Sequence, residues 1–124
     1  MNYPDVQRKL FAELVEVLPL LDLSELTYAK VKTLMYLDAV MMESMRMYPV
    51  IGLPLPRVTP ETGAYLCGKH IPKGTEVVCS TYSLHHSTQV FENADDFIPE
   101  RWLIKDNEIL ASMKKAWNPW SWGP

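Results

Sequence analysis

The sequence predicts an α+β fold in which two main helices precede short β-strands and an irregular meander. Apolar residues recur at helical spacing through residues 1–48. Prolines then crowd the chain, and short β-branched runs between glycine turns indicate strands within residues 49–80. Residues 81–124 carry no strong period of either kind, so we expect helical turns at best there. These three stretches are expected to form one domain.

Length and charge narrow the class of protein. The chain has 124 residues, 48% of them hydrophobic, which suits one ordinary domain. Its 12 basic and 15 acidic residues give a net charge of -3 without a dense basic run, so we expect no nucleic-acid partner. The N-terminus lacks signal-peptide features, and Pro19 and Asp22 interrupt the most apolar stretch. We therefore expect an intracellular location and no membrane segment in this chain.

The first predicted helix begins near Pro4 and ends before Pro19, because proline suits a first helical turn and stops a helix that precedes it. Its apolar stripe consists of Val6, Leu10, Phe11, Leu14, Val15 and Leu18. Its polar face is interpreted as solvated surface; this face carries Arg8, Lys9, Glu13 and Glu16. The pattern predicts an amphipathic helix of about four turns.

A second helix is predicted from Leu34 to just before Pro49, after a segment at residues 26–32 that suits one helical turn. Apolar side chains cover nearly all of its faces, so we expect it to be deeply buried. Its methionines are interpreted as core filler, with a partner-binding groove as the alternative.

Two short strands are predicted within residues 64–71 around Gly68, and a third within residues 75–80. Cys67 and Cys79 lie in these predicted strands, where we expect reduced, small and buried side chains. A disulfide between neighbouring strands is the alternative.

A charged pair lies inside the apolar second helix. Glu43 and Arg46 are three residues apart and therefore share one helix face. Removing two ions from water costs several kcal/mol each unless good geometry and further polar partners offset that cost. The pair therefore predicts a third polar partner, and Arg101 in the Pro99-Glu100-Arg101-Trp102 segment is the candidate.

The order and spacing of these motifs resemble the cytochrome P450 family of haem-thiolate monooxygenases. The motifs are, in order, Tyr36-Leu37-x-Ala39-Val40-x-x-Glu43-x-x-Arg46, Pro49, Leu55-Pro56-Arg57, Gly68-x-x-Ile71-Pro72-x-Gly74-Thr75 and Phe97-x-Pro99-Glu100-Arg101-Trp102. The resemblance covers the whole chain and implies a fragment of the mainly α cytochrome P450 fold. Residues 119–124 look like the opening of the family's haem-binding signature, with Trp120 at the usual phenylalanine position. The cysteine ligand of the iron is expected beyond Pro124.

The resemblance implies roles for individual residues. A structural lock would be formed by Glu43, Arg46 and Arg101. The haem-binding residues would be Arg57, which contacts a propionate, and Trp120 and Gly123. The substrate-facing residues would be Val50, Ile51, Gly52 and Leu53. We expect no catalytic residue and no metal ligand within this chain, and we do not expect Cys67 or Cys79 to replace the missing ligand.

The resemblance also implies an activity. Intact members, among them fungal enzymes acting on lipophilic metabolites, use haem and O2 to insert one oxygen atom into a small molecule, with electrons from an NADPH-dependent reductase. Such relatives are often anchored in the endoplasmic-reticulum membrane, and we expect no such anchor in this chain. We expect the chain alone to lack activity and not to bind haem stably. The alternatives are a non-catalytic remnant that acts as a binding or interaction module, and an unrelated small α+β protein.

One local departure concerns the histidines. After His85, many relatives have Arg-Asp-Pro where this chain has His86, Ser87 and Thr88. Adjacent histidines point in different directions, and the sequence places no third ligand near them or near His70. We therefore expect solvent-exposed or hydrogen-bonded histidines in preference to a metal site.

Overall fold

A computed structural model of the chain describes residues 3–17, 27–51 and 54–120. Within those residues the elements are α1 (Pro4–Val17), α2 (Tyr28–Val31), α3 (Met35–Met47), β1 (Arg57–Val58), β2 (Ala64–Leu66), β3 (Lys69–Ile71), β4 (Glu76–Val77), α4 (Thr81–His85), a 3₁₀ helix (Pro99–Leu103) and α5 (Asn107–Ala116). The predicted α+β class is confirmed. In the described part of the chain, no helix is long and apolar enough to span a bilayer.

Helix α1 packs on the start of α3 through polar contacts. The carboxylate of Glu13 accepts hydrogen bonds from the backbone N–H groups of Tyr36 at 2.7 Å and Leu37 at 2.9 Å. These N–H groups have no partner inside α3, and the residue before the helix gives no side-chain cap, so Glu13 caps α3 from another helix. Lys9 also pairs with Glu100. The prediction that this face of α1 is only solvated surface is therefore wrong.

The hydroxyl of Tyr36 donates to the same carboxylate that Lys9 contacts, on Glu100, at 2.9 Å. Burial and the neighbouring carboxylate together raise the pKa of Tyr36 to about 12. This hydroxyl therefore stays protonated at neutral pH and keeps its role as a donor. Together these contacts of Lys9, Glu13, Tyr36 and Glu100 join α1, α3 and the 3₁₀ helix.

Helix α3 is buried along one face only. Its buried residues are Ala39, Glu43, Arg46 and Met47. Met35 and Met41 lie on other faces and are 71% and 52% exposed. The prediction of burial on nearly all faces is therefore wrong for the described structure, because α1, α4 and the 3₁₀ helix pack against one side of α3.

The strands form two small antiparallel sheets. Strand β1 pairs with β4, with Arg57 opposite Val77, and β2 pairs with β3 in a hairpin. Strand β1 was not predicted, and β4 is shorter than the predicted run at residues 75–80. Both cysteines are free and exposed, so their predicted burial is wrong: Cys67 lies in the hairpin turn and Cys79 follows β4.

The hydrophobic core lies between α3, the 3₁₀ helix and α5. Its buried members are Ala39, Phe91, Ala94, Trp102, Met113 and Ala116. Helix α5 has ten residues, so the expectation of helical turns at best in this region is wrong. Asp106 caps α5 by accepting hydrogen bonds from two of its first N–H groups. Met113 and Ala116 are three residues apart, which puts both on the core-facing side of α5.

Candidate functional site

A fully buried carboxylate lies at the centre of the candidate site. Glu43 is 0% exposed and accepts five hydrogen bonds. Arg46 donates to both carboxylate oxygens, from Nε and Nη2, at 2.9 Å each. Arg101 Nε donates at 3.1 Å and the backbone N–H of Ile98 at 2.9 Å. The indole Nε1 of Trp102 donates at 3.0 Å. We call these five residues the Glu43 cluster.

The guanidinium of Arg46 also binds the loop that follows α4. Arg46 is 0% exposed, and its Nη1 donates to the carbonyl oxygens of His85 and Ala94 at 2.7 Å each. Its Nη2 donates to the carbonyl of Asp96 at 3.1 Å. The ring of Phe91 lies 5.2 Å from the guanidinium carbon. One side chain of α3 therefore fixes three backbone positions across residues 85–96.

Arg101 binds the same loop as Arg46. Its Nη1 donates to the carbonyl of Glu92 at 2.7 Å, and its Nη2 donates to that of Asn93 at 3.2 Å. Asn93 has a φ of 48°, a left-handed conformation that asparagine tolerates better than most residues. The structure thus places the three residues of the predicted lock, Glu43, Arg46 and Arg101, in direct contact.

The electrostatics of the Glu43 cluster favour an ionised carboxylate. Burial by itself would raise the pKa of Glu43. Hydrogen bonds from Arg46 and Ile98 and the charges of Arg46 and Arg101 outweigh that effect, so the pKa lies below its ordinary value. The second positive charge is offset by the carbonyl oxygens that both arginines bind. Because Glu43 is ionised and closed to solvent, the cluster can hold backbone in place but is unsuited to transferring protons.

Two further side chains, His85 and Trp117, join α3 to the segment after α5, and neither contact was predicted from the sequence. His85 is buried and hydrogen-bonds through both ring nitrogens. The indole Nε1 of Trp117 donates to the carbonyl of Met42 at 3.0 Å. Both contacts join residues more than 30 positions apart, so local sequence spacing could not predict them. The position of His85 within a family motif was the one indication in the sequence that this residue has a role.

The other two histidines lie away from the cluster. His86 stacks on Tyr82 with ring centroids 4.0 Å apart, and His70 contacts the edge of Tyr65 at 5.1 Å. Within residues 3–17, 27–51 and 54–120, no three metal-ligating side chains come together. Both side chains therefore make ordinary aromatic contacts.

A second feature is a solvent-open cavity of about 310 Å³ beside the β1–β4 sheet. Its lining residues are Ile51, Pro54, Leu55, Arg57, Leu66, Val77, Val78, Cys79 and Thr81. Arg57 Nη1 donates to the carbonyl oxygens of Leu55 at 3.3 Å and Pro56 at 3.2 Å. The cavity is therefore largely apolar, with one guanidinium in its wall. We call it the Arg57 cavity.

Of the remaining predicted site residues, the structure describes Val50, Ile51, Arg57 and Trp120. Ile51 and Arg57 line it together, whereas Val50 is exposed and does not. Trp120 is 62% exposed and is not part of the lining. The predictions for Gly52, Leu53 and Gly123 fall outside the described residues.

The family model described as "Cytochrome P450" matches residues 1–124. The chain belongs to the cytochrome P450 family. It is 37% identical over its whole length to "Cytochrome P450 monooxygenase atr2" of Stereocaulon alpinum and 36% identical to "Cytochrome P450 monooxygenase AMT3" of Alternaria alternata. These matches cover 24% and 25% of the two relatives. It is also 41% identical over 95 residues, 77% of the chain, to "Fusicoccadiene 8-ol C-16 hydroxylase" of Alternaria brassicicola, covering 19% of that protein. The chain thus spans about a quarter or less of these relatives' lengths.

The cytochrome P450 family uses haem, and the Arg57 cavity has chemistry that fits part of that group. Haem is a flat apolar ring that carries carboxylates, and the cavity offers apolar walls with a guanidinium among them. A guanidinium is well suited to binding a carboxylate. The free cysteine in the wall, Cys79, follows strand β4.

Proposed function

We propose that this chain forms the part of a haem-thiolate monooxygenase that holds one edge of the haem and leads toward its ligand loop. The enzyme would insert one oxygen atom from O2 into a lipophilic small molecule. The Glu43 cluster is the observation that carries this proposal, in a chain that belongs to the cytochrome P450 family. This buried carboxylate accepts hydrogen bonds from residues 55 to 59 positions away in sequence, so it holds distant segments in register.

In this proposal the Glu43 cluster is the structural lock. Arg46 and Arg101 bind carbonyl groups of the loop at residues 85–96, while Glu43 accepts hydrogen bonds from Ile98 and Trp102. The chain between α4 and the 3₁₀ helix is therefore fixed to α3. This fixation would hold the following segment, which includes Trp120, in place for haem binding.

Arg57 would bind a haem propionate and the apolar wall of its cavity would contact the ring. The side chains of Ile51 and Leu55 line the same cavity, so they would also exclude water from a lipophilic substrate. Haem with a thiolate ligand supplies the activation of O2. One relative is named a hydroxylase, which agrees with oxygen insertion as the reaction class. The proposal includes an NADPH-dependent reductase as electron donor and an intracellular location.

The test is haem binding by the intact monooxygenase of which this chain is proposed to form a part. We expect the reduced protein to give the carbon monoxide difference spectrum of a thiolate-ligated haem. Arg57→Ala should weaken haem binding about tenfold or more, because a hydrogen bond to a charged group contributes about 1.5–3 kcal/mol. The haem affinity of Arg57→Lys should lie between those of Arg57→Ala and the unmodified protein, since lysine keeps the charge but lacks the planar guanidinium group.

Lys69→Ala is the matched control, because Lys69 is an exposed cation on β3 and does not line the Arg57 cavity. Its haem affinity should equal that of the unmodified protein. A carbon monoxide spectrum without thiolate character would refute the proposed reaction. Equal losses in the Lys69 and Arg57 variants would refute the role of Arg57.

A further inference from the structure

His85 connects three elements through one buried ring. It is the last residue of α4 and is 0% exposed. Its Nδ1 lies 3.1 Å from the backbone carbonyl oxygen of Arg46, near the end of α3. Its Nε2 lies 3.1 Å from the backbone nitrogen of Asn118, two residues after α5. The imidazole therefore bridges two backbone positions that are far apart in sequence.

These two partners determine the form of the ring. A carbonyl oxygen can only accept, so Nδ1 must carry a proton toward Arg46. A backbone N–H can only donate, so Nε2 must present a lone pair toward Asn118. Only the neutral imidazole protonated on Nδ1 satisfies both contacts. Either the other tautomer or the imidazolium would point an N–H at the N–H of Asn118.

The contact with Arg46 is reciprocal. While His85 Nδ1 approaches the Arg46 carbonyl, the Arg46 guanidinium donates from Nη1 to the His85 carbonyl at 2.7 Å. Arg46, which also binds the carboxylate of Glu43, therefore contacts His85 at both its backbone and its ring. The ring in turn accepts a hydrogen bond from the backbone N–H of Asn118.

The segment after α5 is held at two adjacent residues. Trp117 is held through its indole, which donates to the carbonyl of Met42, and Asn118 through its backbone N–H. The contact with the ring comes from the backbone N–H of Asn118, and the buried Oδ1 of its side chain has no hydrogen-bond partner among the described residues. Two contacts at neighbouring residues fix direction as well as position, and the buried Pro119 that follows limits backbone rotation.

We propose that His85, as the neutral tautomer protonated on Nδ1, is a positioning residue that sets the chain entering the haem loop in register with α3, through Asn118. This inference rests on the proposed function, because that function makes residues 117–120 the approach to the haem. His85 touches neither haem nor substrate in this role. It acts only by fixing the backbone of Asn118.

The first test needs no substitution. Nitrogen-15 NMR of the full chain at neutral pH should show Nδ1 of His85 as the protonated nitrogen and Nε2 as the bare one. A ring protonated on Nε2 alone, a ring protonated on both nitrogens, or rapid exchange between the two tautomers would overturn the proposal. Because the unmodified protein is measured, a variant that fails to fold cannot obscure the result.

The second test separates the two nitrogens with substitutions. His85→Asn can place an amide N–H near the Nδ1 position but has no acceptor that reaches Asn118. His85→Gln can place its amide oxygen near the Nε2 position and restore that acceptor. We expect hydrogen exchange at the Asn118 amide to be about tenfold faster in the asparagine variant and close to normal in the glutamine variant.

His86 supplies the matched controls, because it is the adjacent histidine and it stacks on Tyr82 instead. His86→Asn and His86→Gln should leave exchange at Asn118 unchanged. Equal exchange in His85→Asn and the unmodified protein would overturn the proposal. A uniform increase at all amides, in both His85 variants, would show general destabilisation and would overturn it as well.

The role toward haem is measured separately. In haem-loaded protein, His85→Asn should shift the Soret maximum or weaken haem binding at least threefold, and His85→Gln should restore the normal value. A loaded His85→Asn protein with an unchanged spectrum and affinity would refute the haem-directed part. If the protein binds no haem while the NMR and exchange results hold, the proposed function fails but the coupling of His85 to Asn118 stands.

Discussion

The Glu43 cluster and the β2–β3 hairpin place their polar and apolar groups in opposite ways. The cluster buries a carboxylate and two guanidinium groups within the hydrophobic part of the molecule. The hairpin exposes Tyr65 by 77% and carries an exposed cysteine in its turn. Fixed geometry in this chain therefore comes from buried polar contacts as much as from apolar burial, and the exposed hairpin contributes little to it.

Burial explains why the two regions should respond differently to substitution. In the Glu43 cluster every oxygen and most guanidinium donors have partners, so removing one group leaves the others unpaired away from water. In the hairpin a lost polar contact is replaced by water at once. We therefore expect effects of several kcal/mol at the first site and of tenths at the second.

The largest effect is expected from Glu43→Gln. This substitution keeps the shape of the side chain but leaves Arg46 and Arg101 without a counter-ion in a buried site. It should lower the free energy of unfolding by about 3 kcal/mol or more. Urea unfolding followed by tryptophan fluorescence measures the change, since Trp102 lies within the cluster.

Glu61→Gln is the matched control for that substitution. Glu61 also pairs with a cation, Lys73, but its side chain is 88% exposed. Its loss should cost less than about 0.5 kcal/mol. Similar losses for the two glutamine variants would contradict the contrast between the buried cluster and the exposed region.

The second largest effect is expected from pH, because protonation of His85 should lower the free energy of unfolding in acid. Burial lowers the pKa of His85, and the positive charge of Arg46 and the nearby ring of His86 act in the same direction. Below the ordinary value of 6.5 the unfolded chain therefore binds more protons than the folded chain, so stability falls as the pH falls. The contribution is complete above pH 6.5 and is lost progressively below it.

The decline should be measured between pH 6.5 and 4.5, because the lowered pKa of Glu43 adds a second loss only below its ordinary value of 4.5. The free energy of unfolding should fall with pH across this interval in the unmodified protein. His85→Gln should flatten the slope, and His86→Gln should keep most of it, because burial is the largest cause of the lowered pKa of His85. An equal slope in His85→Gln would show that another group causes the decline.

The sequence could predict the Glu43 cluster in part because its central pair leaves a local signal. Two charges three residues apart in an apolar helix need a further partner, and Arg101 was the candidate. The order of the two main helices and of the hairpin strands also followed from local periodicity and turns. These features depend on neighbours in the chain, so a single sequence contains them.

The remaining contacts could not be predicted because they join distant backbone groups. Glu13 caps α3 from α1, and Ile98 donates a backbone N–H that any residue would carry. His85 was expected only to be exposed or hydrogen-bonded, and its two partners depend on the packing of three elements. In contrast, α5 could have been predicted from the sequence, because Asp106 suits a helix N-cap and the apolar residues that follow it recur at helical spacing.

The smallest effect, and the one with opposite sign, is expected at the hairpin turn. Leu66 pairs with Lys69, so the turn consists of Cys67 and Gly68 alone, with φ values of 50° and 76°. Two left-handed residues define the turn type that prefers Asn-Gly, because asparagine tolerates this conformation better than cysteine. Cys67→Asn should therefore raise the free energy of unfolding by about 0.5 kcal/mol.

Cys79→Asn is the control for this gain, because Cys79 is also an exposed free cysteine but has no positive φ. It should not stabilise the protein. A gain at both positions would mean that removal of a thiol, and not turn geometry, is responsible. A gain at Cys67 alone would show that the hairpin is governed by the local backbone conformation, whereas substitutions in the Glu43 cluster act through contacts with distant segments.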